Sequence, residues 1–172
     1  MNDVLYIGWT PPTPLGIIWV AANETGLVAV SLGDELEIFN AELAAQRPRA
    51  QITPDEGRTY LFTSQIAAYL TGERTEFDLP IDWSMMTPFQ QKALQATLEI
   101  PRGETRTYGE IATLAGSPGA ARAVGRAEAT NPIPLVIPCH RVLNADGKLH
   151  GYSGRGGLET KAWLLKLEQA EI

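Results

Sequence analysis

Three prolines fall within eleven residues, and they rule out a regular helix or strand over that stretch. Proline fixes its own φ, has no N–H to donate and restricts the residue before it. The segment reads Asn131-Pro132-Ile133-Pro134-Leu135-Val136-Ile137-Pro138-Cys139-His140-Arg141. Its apolar run from Ile133 to Ile137 predicts a short buried segment that ends in a rigid turn.

That turn contains the only cysteine of the chain, next to one of its two histidines. A thiol with a pKa of about 8.5 is mostly protonated at neutral pH, so a nucleophilic cysteine needs a base or a positive environment. The neighbouring His140 can act as a base, and both His140 and Arg141 can provide positive charge. A lone cysteine is more often inert core, but no packing argument requires a His-Arg pair behind it, and we therefore expect chemistry at Cys139.

Length and composition exclude several classes of protein. The 172 residues, 44% of them hydrophobic, can bury the core of one domain or of two small ones. No apolar window is long enough to span a bilayer, and the N-terminus lacks the basic region of a signal peptide. One cysteine excludes a disulfide scaffold and favours a cytoplasmic location. One cysteine and two histidines are too few for a zinc cluster, so we expect no metal and no cofactor.

Charge is distributed unevenly along the chain. The net charge is −6, but residues 1–85 hold four Lys/Arg against twelve Asp/Glu, whereas residues 86–172 hold ten against eight. The halves therefore carry −8 and +2. A polyanion such as DNA would meet the second half.

The first half, residues 1–85, predicts a small α/β domain. Its β-branched and aromatic runs predict an antiparallel meander, and its later apolar spacing predicts two helices. The predicted strands are Val4–Trp9, Gly16–Ala22 and Leu27–Leu32, with a short fourth at Phe77–Ile81. The first predicted helix starts at Asp34 and ends before Pro48, and the second includes Phe62–Leu70.

The second half, residues 86–172, predicts a mainly helical domain. Thr87-Pro88 starts one helix, and Thr107 with Glu110 forms a capping box for the next. A third helix starts at Ser117-Pro118, and this close pair of helices has the outline of a helix-turn-helix. Leu158 to Leu165 predict a last helix ending near Glu168.

The third helix is smooth, because alanines and a glycine surround one long side chain, Arg122. Such a surface suits close approach to a DNA groove, and equally suits tight packing against a neighbouring helix. Both interpretations stay open from this segment alone.

Several segments together resemble one family, the O6-alkylguanine-DNA alkyltransferases, also called methylated-DNA–protein-cysteine methyltransferases. These segments are Ala121-Arg122-Ala123-Val124-Gly125, Asn131-Pro132, Ile137-Pro138-Cys139-His140-Arg141-Val142, Gly151-Tyr152-Ser153-Gly154 and Lys161-Ala162-Trp163-Leu164-Leu165. The resemblance is strong over about residues 87–169, whereas residues 1–85 resemble the family's ribonuclease-H-like α/β domain only in pattern.

The resemblance implies DNA repair by direct damage reversal. The family binds double-stranded DNA through the minor groove, extrudes O6-alkylguanine and moves the alkyl group irreversibly to its own cysteine; O4-alkylthymine is a second candidate substrate. An everted base is reachable where a stacked one is not. We expect a monomer that acts once per molecule, with cooperative binding along DNA as a further option.

Roles carry over by position. Cys139 resembles the alkyl acceptor, His140 its base through a bound water, Glu168 the residue that orients the imidazole, and Tyr108 a proton donor to the leaving guanine. Arg122 resembles the side chain that fills the gap in the base stack. The other expected DNA contacts are Ala120, Ala121, Gly125, Arg141 and Thr107. The expected alkylguanine pocket comprises Asn131, Pro134, Val142 (through its carbonyl), Tyr152, Ser153 and Gly154.

Some residues depart from the family pattern. Arg155-Gly156 lengthen the binding loop, Glu128 would repel phosphate if it faced DNA, and His150 has no family role and is expected at the surface. Three alternatives remain: a non-catalytic binder of alkylated DNA, a helix-turn-helix regulator, and a Cys-His hydrolase. The presence of Cys139 counts against the non-catalytic binder.

Overall fold

The structure, a computed structural model, describes residues 3–152 and 156–172. The chain forms two compact units that divide between Asp82 and Trp83. The boundary expected from the sequence, 85/86, lies shortly after this division. Among the described residues, no helix combines the length and the apolarity needed to cross a membrane.

The first unit is built on a four-stranded mixed sheet in the order β3-β2-β1-β4. Its strands are β1 (Val4–Trp9), β2 (Ile18–Ala22), β3 (Leu27–Leu32) and β4 (Gln51–Pro54). The first three form the predicted antiparallel meander, whereas β4 pairs in parallel with β1. The predicted meander is therefore confirmed, and the sheet is mixed because of β4, which the sequence did not predict.

The short strand β4 carries no clear sequence signal. It has four residues, none of them buried, and only one aliphatic side chain, Ile52. The strand expected at Phe77–Ile81 is reduced to one isolated bridge between Leu27 and Ile81. Pro80 cannot donate to a ladder, which limits pairing there.

Two helices, α1 (Leu36–Gln46) and α2 (Glu56–Leu70), cover opposite faces of this sheet. Phe39 and Leu43 of α1 pack with Leu5 and Ile7 of β1. On the other face, a Cβ added at Gly8 would lie 2.0 Å from the Thr59 hydroxyl of α2. Alternation of side chains along β1 explains why consecutive residues meet different helices.

The second unit is mainly helical and confirms the predicted fold class. It contains α3 (Pro88–Leu98), α4 (Tyr108–Leu114), α5 (Ala121–Ala129) and α6 (Gly157–Leu167), with a 3-10 turn at Cys139–Arg141. Two short strands, β5 (Arg106–Thr107) and β6 (Val142–Leu143), pair in parallel. This pair fixes the chain that leaves the cysteine turn against the chain that enters α4.

Local capping explains where these helices begin. The Thr87 side chain accepts from the Gln90 N–H at the start of α3, and Thr107 forms the predicted capping box with Glu110 at the start of α4. Helix α5 begins at Ala121 rather than at Ser117-Pro118. Gly119 has a φ of +86°, which belongs to a left-handed turn and not to a helix.

Helices α3, α4 and α5 enclose a core of small and branched side chains. Its buried members are Ala93, Ile100, Ile111, Ala112, Val124, Ala127 and Val142. Because Val142 of β6 belongs to this core, the cysteine turn that precedes it is held against the helix pair.

Candidate active site

Asn131 holds the proline-rich segment in its turn. Its side-chain oxygen accepts from the backbone N–H of Ile133 at 2.9 Å, and its amide donates to the carbonyl of Ile137 at 3.0 Å. Leu135 sits between them with a φ of +74°, a conformation that is strained for a leucine. The predicted pocket residue Asn131 is thus buried and shapes the backbone that presents Cys139.

Cys139 is 4% exposed. Burial raises the pKa of its thiol to about 12, and the carboxyl of Glu128 adds to that shift, whereas a hydrogen bond with Asn131 and the charge of Lys161 oppose it. The resting thiol is therefore protonated. Desolvation outweighs the positive surroundings, so the thiolate forms only when a base removes the proton, which is the role expected of His140.

His140 and Glu168 form a fully buried pair. The Nε2 atom of His140 lies 2.7 Å from Oε1 of Glu168, and neither side chain is exposed. Burial lowers the pKa of His140, although Glu168 opposes this. We therefore assign a neutral imidazole whose Nε2–H donates to the carboxylate. Its Nδ1 is then an acceptor, and it is buried without a hydrogen-bond partner within the described part of the chain.

Arg141 holds the far side of Glu168. Its guanidinium donates to both carboxylate oxygens, at 2.9 and 3.0 Å, and to the carbonyl of Ile100 at 2.5 Å. Burial works against ionisation of Glu168, but the hydrogen bonds and charges of His140 and Arg141 outweigh it and lower the pKa of Glu168 far below its usual value. The expected DNA contact by Arg141 is corrected here, because its buried guanidinium is committed to Glu168.

Tyr108, the first residue of α4, is half-buried. Its hydroxyl lies 3.5 Å from the carbonyl oxygen of exposed His150. Burial raises the pKa of Tyr108, and negative charge on Glu128 or Cys139 raises it further. The phenol is therefore a neutral proton donor at physiological pH.

Lys161 is a buried residue of the site that the sequence did not single out. Its Nζ donates to the carbonyl of Val142 at 2.7 Å and to that of His150 at 3.0 Å. Burial lowers the pKa of Lys161, while Cys139 and Glu128 favour its charged form. Lys161 begins the closing segment that resembles the family, but only the tertiary structure shows that it is buried.

The contact between Lys161 and Val142 bears on the expected pocket. The Val142 carbonyl, predicted to accept from the guanine amino group, already accepts from the lysine. A carbonyl oxygen has two lone pairs, so a second donor can still bind.

The other expected pocket residues differ in what the structure describes. Pro134 is buried, and the hydroxyl of Tyr152 is buried without a partner in the described ranges. Burial, followed by the charges of Cys139 and Glu168, raises the pKa of Tyr152 well above its usual value. Ser153 and Gly154 lie outside the described residues.

The expected DNA surface lies on α5 and at its start. Arg122 is exposed, whereas Ala120, Ala121 and Gly125 are half-buried. A Cβ added at Gly125 would meet nothing within 4 Å, so the helix surface is open at that point. Thr107 is half-buried, and its hydroxyl already accepts from the Glu110 N–H in the capping box.

Residues 3–152 and 156–172 contain no group of three His, Cys, Asp or Glu side chains placed to hold a metal ion. The site combines the thiol of Cys139, the neutral imidazole of His140 hydrogen-bonded to Glu168, and the phenol of Tyr108. The buried ammonium group of Lys161 completes it.

Two family descriptions match the chain, one for each unit. The "6-O-methylguanine DNA methyltransferase, ribonuclease-like domain" matches residues 6–83, and the "6-O-methylguanine DNA methyltransferase, DNA binding domain" matches residues 88–170.

Similar proteins cover nearly the whole chain. The methylated-DNA–protein-cysteine methyltransferase of Mycobacterium tuberculosis H37Rv is 52% identical over 94% of this chain and 91% of its own. The constitutive enzyme of the same name from Bacillus subtilis is 39% identical over 93% of each. The crystal structure of Mycobacterium tuberculosis OGT in complex with DNA matches with a TM-score of 0.76 and 43% identity, over 96% of this chain and 92% of that one.

Proposed function

Because this chain belongs to the methylated-DNA–protein-cysteine methyltransferase family, we propose that it transfers the alkyl group of O6-alkylguanine in DNA irreversibly to Cys139. DNA repair by alkyl transfer is the activity of the family, and DNA is its partner. The observation that carries the assignment of residues is the array Cys139, His140 and Glu168, with an imidazole nitrogen left as a buried acceptor.

The residues of the array have distinct tasks in the reaction. The Cys139 proton moves to Nδ1 of His140, through one water, as the sulfur attacks the alkyl carbon. Glu168 holds the imidazole in the required tautomer and stabilises the imidazolium that forms. The charge of Lys161, which lowers the pKa of Cys139, stabilises the developing thiolate.

The transfer conserves bonds and protons. One S–C bond forms, the O6–C bond breaks, and the electron pair of that bond stays on the guanine. Tyr108 gives its proton to the departing base, and the proton taken by His140 restores the phenol. The net change replaces the thiol hydrogen by an alkyl group and leaves unmodified guanine, so no cofactor takes part.

The product explains a single turnover. A thioether has no good leaving group and no acyl carbon, so water does not regenerate the thiol as it would from an acyl-enzyme. Each protein molecule is therefore consumed by one lesion.

DNA recognition is assigned to α4 and α5. The half-buried Ala120 and Ala121 and the open surface at Gly125 allow α5 to approach the minor groove closely. Exposed Arg122 enters the stack as the alkylated guanine leaves it, because its planar cation stacks well on bases. We place this reaction in a monomer in the cytoplasm.

Mass spectrometry after incubation with a duplex that contains one O6-methylguanine tests the proposal. The expected result is a gain of one methyl group per protein molecule, on the peptide that contains Cys139. Cys139→Ser removes the gain, whereas Ser64→Ala on α2 of the first unit retains it. More than one lesion repaired per protein molecule would contradict the mechanism, and binding of the duplex without any gain in mass would indicate a non-catalytic lesion binder.

A further inference from the structure

Glu128 is a carboxylic acid that the reaction above does not use. It lies on α5, yet it is only 5% exposed and points away from solvent. Its side chain meets Thr97 of α3 instead of any surface that DNA could reach. The concern that Glu128 repels phosphate therefore does not arise, and its burial needs another explanation.

The number of hydrogens at Thr97 restricts the protonation state of Glu128. The Thr97 hydroxyl oxygen lies 2.5 Å from Oε1 of Glu128 and 3.0 Å from the carbonyl oxygen of Ala93. A hydroxyl has one hydrogen, so it cannot donate to both oxygens. Both contacts are hydrogen bonds when Glu128 carries a proton and donates it to Thr97, which then donates to Ala93.

The second carboxyl oxygen favours the same state. Oε2 of Glu128 is buried and has no hydrogen-bond partner among the described residues. A buried carboxylate oxygen without a donor is costly, whereas the carbonyl oxygen of a neutral acid is much less so. In agreement with this, burial raises the pKa of Glu128 to about 7, although the Thr97 contact and Lys161 oppose the shift.

The ionisable groups that face Glu128 belong to three other elements. They are Tyr108 of α4, Cys139 of the 3-10 turn and Lys161 of α6; from α3 it meets the neutral Thr97. A negative charge on Glu128 raises the pKa of Cys139 and of Tyr108. A negative charge on Glu128 would also offset the positive charge of Lys161, which lowers the pKa of the Cys139 thiol.

We propose that Glu128 is a neutral carboxylic acid that donates to Thr97, and that its proton keeps negative charge away from Cys139 so that the thiolate can form. Glu128 is a positioning residue: it ties α5 to α3 through Thr97 and sets the electrostatic environment of the nucleophile. This role rests on the proposed alkyl transfer to Cys139. Loss of the proton slows the transfer and loosens the attachment of the helix that carries Arg122.

The pH dependence of Glu128→Gln tests this inference, because glutamine is neutral at every pH and its amide can still donate to Thr97. The rate of methyl transfer from a lesion-containing duplex is measured from pH 6 to pH 8.5. At pH 6 the variant and the unaltered protein should agree within about twofold. At pH 8.5 the variant should be about threefold faster or more, because loss of the negative charge on Glu128 lowers the pKa of Cys139 and so increases the thiolate population.

Three further variants separate electrostatics from packing. Glu99→Gln removes an exposed carboxyl just beyond α3 and should leave the rate ratio equal to one at every pH. Thr97→Ser keeps the hydroxyl and should retain the pH profile of the unaltered protein, whereas Thr97→Val removes the acceptor of the Glu128 proton and should slow transfer across the range.

Thermal unfolding gives a readout that does not depend on activity. A carboxyl whose pKa is higher in the folded than in the unfolded state binds its proton more tightly when folded, so stability falls as pH rises between the two values. The unaltered protein should lose melting temperature relative to Glu128→Gln from about pH 4.5 to about pH 7. Infrared difference spectra should show a protonated carboxyl stretch that Glu128→Gln lacks.

The outcomes distinguish the inference from the proposed function. Methyl transfer at pH 6 by the unaltered protein establishes the function whatever Glu128 does. A rate ratio and a melting difference that both stay flat with pH would overturn the role of Glu128. Absence of methyl transfer together with a pH-dependent melting difference would overturn the alkyl transfer while leaving the protonated carboxyl in place.

Discussion

The site contains two buried cations, Arg141 and Lys161, and they have different partners. Arg141 neutralises Glu168 through paired hydrogen bonds and so fixes the imidazole. Lys161 forms no ion pair with a carboxylate of the residues that the structure describes, and it donates to two backbone carbonyls. Its charge is therefore available to the sulfur of Cys139, whose pKa it lowers.

Replacing Lys161 by methionine should slow alkyl transfer by about tenfold or more. The pKa of Cys139 rises when the cation is lost, and one unit corresponds to tenfold in thiolate. The rate should therefore reach its plateau at higher pH than in the unaltered protein. Single-turnover kinetics across pH with both a lesion-containing duplex and free O6-benzylguanine measure this.

Lys166→Met is the matched control, since Lys166 is exposed on the same helix. Because Lys161→Met also removes the lysine donor from the buried carbonyl of Val142 and from the carbonyl of His150, unfolding by urea is measured in parallel. An unshifted pH profile in a folded Lys161→Met protein would contradict the electrostatic role.

At this scale the sequence predicted the residues of the array but not their protonation states. Cys139 and His140 are adjacent in the chain, and the resemblance supplied Glu168. The buried locations of Glu128, Arg141 and Lys161 depend on how α3, α5 and α6 meet, which no local pattern encodes. For this reason Arg141, predicted to contact DNA, is a partner of Glu168 in the structure, and Glu128, suspected of repelling phosphate at the surface, is a buried acid.

Among the elements, α5 bears most directly on recognition. Its inner face contributes Val124 and Ala127 to the core, and Thr130 at its end accepts from the Gln90 amide of α3 at 3.0 Å. Its outer face presents the exposed Arg122. A well-anchored helix on which Arg122 lies beside small neighbours suits the insertion of that side chain into a base stack.

Arg122→Ala should therefore slow repair of a lesion in duplex DNA by tenfold or more, while the rate with free O6-benzylguanine changes less than twofold. In the proposed mechanism the Arg122 side chain fills the gap left by the everted base, and unstacking costs a few kcal/mol that a free base does not require. Rates with the two substrates are measured on the same protein preparation. Arg126→Ala, which removes another exposed arginine from α5, serves as the control; equal slowing of both reactions by Arg122→Ala would remove the base-flipping role.

The helices whose starts are marked by capping residues, α3 and α4, were predicted well. The caps at Thr87 and Thr107 place polar side chains beside the first N–H groups of a helix, and these contacts need no tertiary partner. Strand β4 forms only because β1 offers an edge, and α5 starts late because Gly119 adopts a left-handed turn. Pairing across the chain and backbone handedness at one glycine are weakly marked in sequence.

At the scale of the whole molecule, the net charge of −6 conflicts with binding to a polyanion unless few phosphates are contacted. The acidic residues concentrate in 1–85, and the second unit carries the partner surface. Of the basic side chains in 102–155 that the structure describes, only Arg122, Arg126 and Lys148 are exposed. Arg141 is buried, and half-buried Arg106 pairs with Glu104 at 2.8 Å.

DNA binding by the full chain should accordingly weaken with salt, but with a shallow slope. Each phosphate neutralised contributes about −0.9 to the slope of log affinity against log salt, so about three contacts give about −3. The slope is measured by fluorescence anisotropy with an unmodified duplex, at salt concentrations from about 50 to about 200 mM. Lys148→Ala should make the slope shallower by about one if that lysine meets a phosphate, whereas Lys92→Ala on α3 should leave it unchanged. A slope of zero would rule out phosphate contacts by α5 and its surroundings, and a slope of about −6 or steeper would require basic residues beyond the exposed three.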